Sequence, residues 1–206
     1  MSTQPSINGS VPQRLAQTRE LMSREGIHAL LVPSADPHLS EYLPGYWQGR
    51  QWLSGFHGSV GTLIVTPDFA GVWADSRYWE QATKELKDSG IELVKLQPGQ
   101  PSPLDWLAEQ TPEGGVVAVD GAVMAVASAR TLGGKLQERG ARLRTDIDVL
   151  DQGRLYPRDN RGRSIFPDDH VVHARYVSHV ALSRLEPVNV DFRQWTLQEA
   201  LLSLQM

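Results

Sequence analysis

Apolar and polar residues between positions 11 and 152 follow two spacings, one typical of helices and one typical of strands. Apolar residues three and four positions apart predict helices, whereas short apolar runs and strict alternation predict strands. The predicted helices are one that contains Leu15, Thr18, Leu21 and Met22 and ends at Gly26, followed by 77–89, 103–110 with Ser102 as its cap, and 125–139 with Gly140 at its end. The predicted strands are 27–32, 61–66, 70–74, 91–96, 116–119 and 141–145.

This order of elements predicts the fold class. Strands that alternate with helices along a chain are typical of α/β proteins, in which helices pack on the faces of a sheet. The segments 61–66 and 70–74 are separated only by a short turn sequence, which predicts two neighbouring strands. We therefore expect an α/β domain with helices on a mixed or mostly parallel sheet.

The sequence divides into three parts. Residues 1–10 are polar and aperiodic, and we expect a short disordered leader. Residues 11–152 carry the helix and strand pattern. Residues 153–206 are rich in arginine and contain no lysine, and they open with turn-forming and charged residues. We expect this part to be a weakly structured extension with one short amphipathic helix near 196–205.

Composition narrows the classes of function. Hydrophobic residues make up 40% of the chain and the formal net charge is -4, a balance typical of soluble globular proteins. No block of basic residues indicates nucleic-acid binding, and no apolar run is long enough to cross a membrane. The absence of cysteine excludes disulfides and thiolate metal ligands. No secretory signal is evident at the start, so we expect a cytoplasmic protein.

Three motifs carry a resemblance to a known family. They are DPHLSEY at 36–42, RQWLSGFHGSVGT at 50–62 and WADSRYW at 73–79. In this order and at this spacing they closely resemble the N-terminal domain of Xaa-Pro aminopeptidases in the creatinase/prolidase superfamily. The resemblance covers about residues 12–152. It implies a six-stranded mixed sheet flanked by helices, in the non-catalytic half of a two-domain subunit.

The resemblance also implies a division of labour. In the family the N-terminal half helps oligomers assemble and helps shape the entrance of the active site. Hydrolysis belongs to a C-terminal domain in which carboxylates and a histidine hold two divalent metals, commonly manganese, to activate a water. The residues after 152 do not resemble that domain. We therefore expect no catalytic residue, no metal site and no other cofactor in this chain.

Several functional hypotheses follow from this reading. The first is a non-catalytic domain that acts in assembly and substrate access, as a homo-oligomer or with a separate catalytic half. The second is one half of a split metal-dependent aminopeptidase. The third is a stand-alone binding protein that has reused the fold. Under the first two, proline-containing peptides would reach this chain only as substrates of the complete enzyme.

Five residues in or next to the motifs are candidates for an interface or for substrate access. Trp and Arg are enriched at binding hot spots, and we expect some of these side chains in an exposed loop rich in aromatic residues. For the tryptophans of that loop a packing role is an equal alternative. For Asp75 and Arg77 an internal salt bridge or helix cap is the favoured alternative. The five candidates are Trp47, Arg50, His57, Arg77 and Tyr78.

Two further patterns have structural explanations that we favour. Gly55, Gly58 and Gly61 resemble a phosphate-binding turn, but they precede a strand and not a helix. We expect them to permit positive φ or close packing. Histidines and aspartates at 168–179 could share a helical face, but they lack the further ligands that a metal site needs. We expect a chance cluster there.

Overall fold

The structure is a computed structural model that describes residues 9–40 and 42–152. The predicted leader, the extension 153–206 and its helix near 196–205 lie almost entirely outside the described residues. The strands are β1 Ala29–Pro33, β2 Thr62–Val65, β3 Ala70–Ala74, β4 Glu92–Lys95, β5 Val116–Ala118 and β6 Arg142–Arg144. The α-helices are α1 Val11–Arg24, α2 Gly49–Ser54, α3 Trp79–Glu85, α4 Pro103–Gln110, α5 Val126–Glu138 and α6 Val149–Gln152.

The six strands form one mixed sheet in the order β4-β3-β2-β1-β5-β6. Strands β1, β2 and β3 pair in antiparallel fashion, whereas β4 joins β3, β5 joins β1 and β6 joins β5 in parallel. The predicted α/β class and the mixed six-stranded sheet are confirmed.

Side chains from successive residues of β1 enter two different cores, because neighbouring side chains in a strand point to opposite faces. Leu30 and Val32 belong to a core that also contains buried residues of α1, α2, α3 and α6. Ala29 and Leu31 belong to a second core, with buried residues of α4 and α5. The uninterrupted apolar sequence of β1 therefore reflects burial on both faces of the sheet.

Most helix ends lie close to their predicted positions, for local chemical reasons. Gly26 and Gly140 follow α1 and α5 with φ values of 66° and 70°, which favour glycine. At the start of α4 the Ser102 hydroxyl accepts from the Asp105 N–H, and the Asp105 side chain accepts from the Ser102 N–H. This reciprocal pair is a capping box, so the predicted cap is confirmed.

The main departure from the predicted elements is α2. The residues assigned to an exposed aromatic loop instead form a 3₁₀ turn, Gly45–Trp47, followed directly by α2. Four of the six residues of α2 are buried, although the segment is too short to show a helical period. The helix predicted across 77–89 is also shorter, because its first residues form a 3₁₀ turn, Ser76–Tyr78. Helix α6 was not predicted.

No helix in the described part of the chain is long and apolar enough to cross a membrane.

The capping box makes a direct prediction about stability. Ser102→Ala removes the side-chain acceptor of the Asp105 N–H, and we expect the free energy of unfolding to fall by about 1 kcal/mol. Urea titration followed by circular dichroism measures this change. Ser23→Ala, on an exposed position of α1, is the control and should change stability by less than about 0.5 kcal/mol. Equal effects of the two substitutions would contradict the role of the cap.

Candidate functional site

The three sequence motifs meet at one end of the sheet. Antiparallel pairing sets Pro33 at the end of β1 opposite Thr62 at the start of β2, and Thr62 opposite Trp73 near the end of β3. The segments that follow β1, precede β2 and follow β3 therefore emerge side by side. Each of them carries one of the motifs. Tertiary pairing, and not sequence proximity, assembles this surface.

Two open grooves lie at this end of the sheet. The first, of about 180 Å³, we call the Arg50 groove; its lining includes Tyr42, Trp47, Arg50, Gln51, His57 and Ser59. The second, of about 360 Å³, we call the Arg77 groove; its lining includes Ser40, Ser59, Val60, Trp73, Asp75 and Arg77. Ser59 lines both, so the two grooves adjoin.

The Arg50 guanidinium joins the first motif region to the second from inside the protein. Arg50 is 4% exposed. Its Nε donates to the Ser34 Oγ at 2.7 Å, its Nη1 donates to the Phe56 carbonyl at 2.9 Å, and its Nη2 donates to the Gly58 carbonyl. The guanidinium carbon also lies 4.9 Å from the centre of the Phe56 ring. One buried cation thus connects Ser34, directly after β1, with the loop before β2.

Burial also changes the acid–base property of Arg50. Removal from water disfavours the charged form and lowers the pKa of Arg50 to about 10, although the nearby Glu85 charge opposes this shift. Arg50 makes no ion pair with any acidic side chain among residues 9–40 and 42–152. Its acceptors are neutral oxygens. The guanidinium therefore remains a positive charge at ordinary pH, with hydrogen bonds but without a paired carboxylate.

Ser34 continues this connection to the neighbouring strand. Its Oγ accepts from Arg50 and donates to the Gly61 carbonyl at 2.7 Å, and its N–H donates to the same carbonyl at 3.2 Å. Ser34 was not among the predicted candidates. A lone serine after a strand carries no signal in sequence, because its role depends on partners 16 and 27 positions away.

The loop after β1 is shaped by a buried carboxylate. Asp36 is 1% exposed, and its Oδ1 accepts from the N–H groups of His38 and Ser40, both at 2.9 Å. Leu39, between them, has a φ of 53° and is exposed. This local turn keeps the aspartate inside and the neighbouring apolar side chain outside.

The glycines of the second motif have the structural roles that we favoured. Gly55 ends α2 with a φ of 73°. A Cβ on Gly58 would lie 2.2 Å from the Phe56 Cζ, and one on Gly61 would lie 3.3 Å from the Trp73 carbonyl oxygen. The three glycines therefore allow a left-handed turn and close packing.

Asp75 and Arg77 form the predicted salt bridge and cap. Arg77 donates from Nε and Nη2 to the two carboxylate oxygens, at 3.0 and 2.8 Å, and its N–H donates to the Asp75 Oδ1 at 3.0 Å. The side-chain hydrogen bonds from Arg77 lower the pKa of Asp75 and raise that of Arg77. The pair lines the Arg77 groove, and the Arg77 side chain is 68% exposed.

His57 and Tyr78 connect the second motif to the third. The His57 N–H donates to the Glu85 Oε2 at 2.8 Å, and its Nδ1 lies 3.6 Å from the Glu85 Oε1. The Tyr78 hydroxyl lies 2.6 Å from the Ser59 Oγ. These contacts hold the loop 57–59 against the 3₁₀ turn Ser76–Tyr78 and helix α3.

The structure brings the five predicted candidates to one surface. Trp47, Arg50 and His57 line the Arg50 groove, Arg77 lines the Arg77 groove, and Tyr78 bonds the serine that lines both. Their placement in an exposed loop is wrong for Trp47 and Arg50, because both lie in helical turns and Arg50 is buried. An interface or access role for the five stays a prediction.

The arrangement of the His, Asp and Glu side chains decides whether this part of the chain could hold a metal ion. Within residues 9–40 and 42–152, no three His, Asp or Glu side chains are arranged to hold a metal ion. These residues therefore do not fit the two-metal site that the resemblance implies for a hydrolase domain. The His and Asp cluster at 168–179 lies outside the described residues.

Comparison with known families shows what kind of domain this is. The family described as the creatinase/prolidase N-terminal domain matches residues 14–154, and the chain belongs to this family. The predicted resemblance is confirmed.

Known relatives agree with this assignment. A probable Xaa-Pro aminopeptidase P from Talaromyces marneffei is 39% identical over 131 residues, which are 64% of this chain and 20% of the relative. Aminopeptidase P2 from Arabidopsis thaliana is 40% identical over 112 residues, which are 53% of this chain and 16% of the relative. The chain thus spans about a fifth of the length of such curated relatives.

Solved structures share the fold. The X-prolyl aminopeptidase from Caenorhabditis elegans, described as a cytosolic enzyme with a di-nuclear active site, matches with a TM-score of 0.65 and 29% identity, over 70% of this chain and 25% of that chain. The N-terminal domain of the cytoplasmic peptidase PepQ from Mycobacterium tuberculosis matches with a TM-score of 0.51 and 22% identity, over 69% and 98%. The second likeness concerns the fold alone.

The buried guanidinium predicts a large effect on stability. Arg50→Ala leaves the Phe56 and Gly58 carbonyls without their donors, and we expect the free energy of unfolding to fall by about 3 kcal/mol. Chemical denaturation measures the loss. Arg130→Ala, at an exposed position of α5, should change it by less than about 0.5 kcal/mol. A loss for Arg50→Ala no larger than that of the control would show that the guanidinium is dispensable.

The Asp75–Arg77 pair predicts a pH effect. Because the folded-state pKa of Asp75 is lowered, the pair contributes stability above the unfolded-state pKa and loses it as the pH falls through the folded-state value. Arg77→Met should raise the pKa of Asp75 towards that of an ordinary aspartate. An NMR titration of the carboxyl carbon measures this, with Arg130→Met as the control. An unchanged Asp75 pKa in Arg77→Met would exclude Arg77 as the cause.

Proposed function

We propose that residues 11–152 form a non-catalytic domain of a Xaa-Pro aminopeptidase-type protein that serves oligomer assembly and access to the active site. In this proposal the metal-binding hydrolase domain is absent from these 206 residues. The protein acts in the cytoplasm, as a homo-oligomer or with a separate catalytic half. The substrates of the complete enzyme are peptides with proline in the second position.

One observation carries this proposal. Four large apolar side chains are exposed in the described part of the chain, and three of them, Leu39, Tyr42 and Val60, lie on the segments around the two grooves. Their exposed fractions are 61%, 83% and 47%. Exposed apolar residues that gather in one place, beside polar ones, are typical of protein interaction sites. The predicted access residues lie on the same surface.

Known relatives support three other parts of the proposal, namely the type of enzyme, the cytoplasmic location and the place of the metals. The relative from Talaromyces marneffei is named as a probable Xaa-Pro aminopeptidase P, and the chain spans about a fifth of its length. The related nematode protein is described as cytosolic and as having a di-nuclear site. We propose that two divalent metals, manganese in the first instance, belong to the hydrolase domain and that none belongs to residues 11–152.

Activity tests the proposal first. The purified 206-residue chain should release no N-terminal residue from an Xaa-Pro peptide in the presence of manganese, and it should retain no stoichiometric metal after dialysis. Turnover that depends on metal and persists through purification would contradict a non-catalytic chain. Turnover that appears only after mixing with a separately expressed hydrolase domain would support the split form of the enzyme.

Assembly is tested by light scattering. We expect the wild-type chain to self-associate, and the double variant Tyr42→Ser/Val60→Ser to shift the equilibrium at least about tenfold towards monomer, because both apolar side chains leave the interface. Val126→Ser is the matched control, since Val126 is 65% exposed on α5. A wild-type chain that neither self-associates nor binds a hydrolase domain would contradict the assembly role.

A further inference from the structure

Helix α5 lacks the local stabilisation that α4 has. It contains two adjacent glycines in its interior, Gly133 and Gly134. Glycine is the least favourable residue after proline inside a helix, because it loses the most backbone freedom on folding. Helix α5 also begins after Ala125, whose side chain cannot cap it, and its first turn contains no acidic residue. The start and the middle of α5 are therefore intrinsically weak.

Close packing does not explain the two glycines. A Cβ on Gly133 or on Gly134 would have no atom within 4 Å, apart from those of adjacent residues and of the helix's own backbone. Alanine would therefore fit at both positions, and the described part of the chain gives no steric reason for glycine there. What glycine changes at these positions is the stability of the helix.

Few side chains of α5 hold it on the sheet. Of its thirteen residues, only Leu132 and Leu136 are buried, and both are 0% exposed. An ion pair between Lys135 and Asp105 joins α5 to α4. Its side chains are 44% and 36% exposed, and solvent-exposed ion pairs contribute little to stability. Two leucines therefore supply the fully buried contacts that keep α5 in place.

We infer that α5 is a conformational device built into the fold: it unfolds locally and reversibly while the sheet and helices α1 to α4 stay folded. The open state exposes Leu132, Leu136 and the core residues beneath them, such as Val117. Native proteins open in units whose free energies range from near zero to that of global unfolding, and weak helix propensity with few buried contacts places α5 below the central strands in this range. Order–disorder transitions of one segment are a known way in which proteins switch between states. This inference does not depend on the proposed role in assembly or access.

Native-state hydrogen exchange of the 206-residue chain tests the inference. The amides of Leu132 and Leu136 should be protected at least about tenfold less than those of β1. Their exchange should also depend less on denaturant concentration, because local opening exposes less surface than global unfolding does. Equal protection and equal denaturant dependence in α5 and β1 would overturn the inference, since α5 would then open only when the whole domain unfolds.

A glycine substitution tests the cause of the opening. Gly134→Ala should raise the protection of the α5 amides about fivefold, because alanine favours a helix over glycine by about this factor. The measurement is the same exchange experiment on the variant. If the protection of α5 stays at the wild-type value, the glycines do not set the opening equilibrium and the inference is wrong.

A matched glycine substitution on the other face of the sheet separates local opening from global unfolding. Gly26 follows α1 with a φ of 66°, and α1 packs in the first core, so Gly26→Ala strains a position far from α5. It should lower the protection of the β1 amides about fivefold. The α5 amides should keep their wild-type protection, because they exchange without unfolding of α1. An equal loss of protection in β1 and α5 would contradict local opening.

Discussion

The buried guanidinium of Arg50 is the constraint on which this end of the domain depends. A charge that is 4% exposed must keep its hydrogen bonds, because burial without them costs several kcal/mol. Its acceptors lie on two segments of the chain, Ser34 just after β1 and Phe56 with Gly58 in the loop before β2, and those segments must stay close together to satisfy it. The close packing of Gly58 against the Phe56 ring follows from the same requirement. The Arg50 groove lies beside the loop that these hydrogen bonds hold in place.

Sheet topology supplies the second constraint. The antiparallel pairs β1–β2 and β2–β3 lie within a sheet whose other pairs are parallel. These two pairs bring the end of β1, the start of β2 and the end of β3 to one end of the sheet. Helices cover both faces of this sheet, whereas the loops at this end of it are not covered by the described helices and can contact other molecules. A rigid, doubly covered sheet with loops at one end is a common basis for binding surfaces. The chain's membership of the creatinase/prolidase N-terminal domain family agrees with this architecture.

The surface combines exposed apolar side chains with charged side chains that are bonded within the protein. Leu39, Tyr42 and Val60 expose apolar area, which favours association with another protein surface. The Arg50 groove is lined by Arg50, whose guanidinium donates to Ser34, Phe56 and Gly58, and by His57, whose Nδ1 lies 3.6 Å from the Glu85 carboxylate. The Asp75–Arg77 pair is also satisfied internally, and its exposed guanidinium is oriented by its own cap.

The sequence by itself determined the α/β class, the approximate bounds of every strand, the capping of α4 and the family, because each of these depends on local periodicity, on turn chemistry or on motifs that lie within a few residues. It also indicated that Asp75 and Arg77 would pair, since they are two positions apart. Only the tertiary structure decided that residues 49–54 form a buried helix, that Arg50 points inward, and that Ser34 and Ser59 belong to the site. A six-residue helix is too short to show a period, and Ser34 bonds to Arg50 and Gly61, which lie 16 and 27 positions further along the chain. Contacts between distant segments leave no pattern in a single sequence, and these contacts shape the grooves.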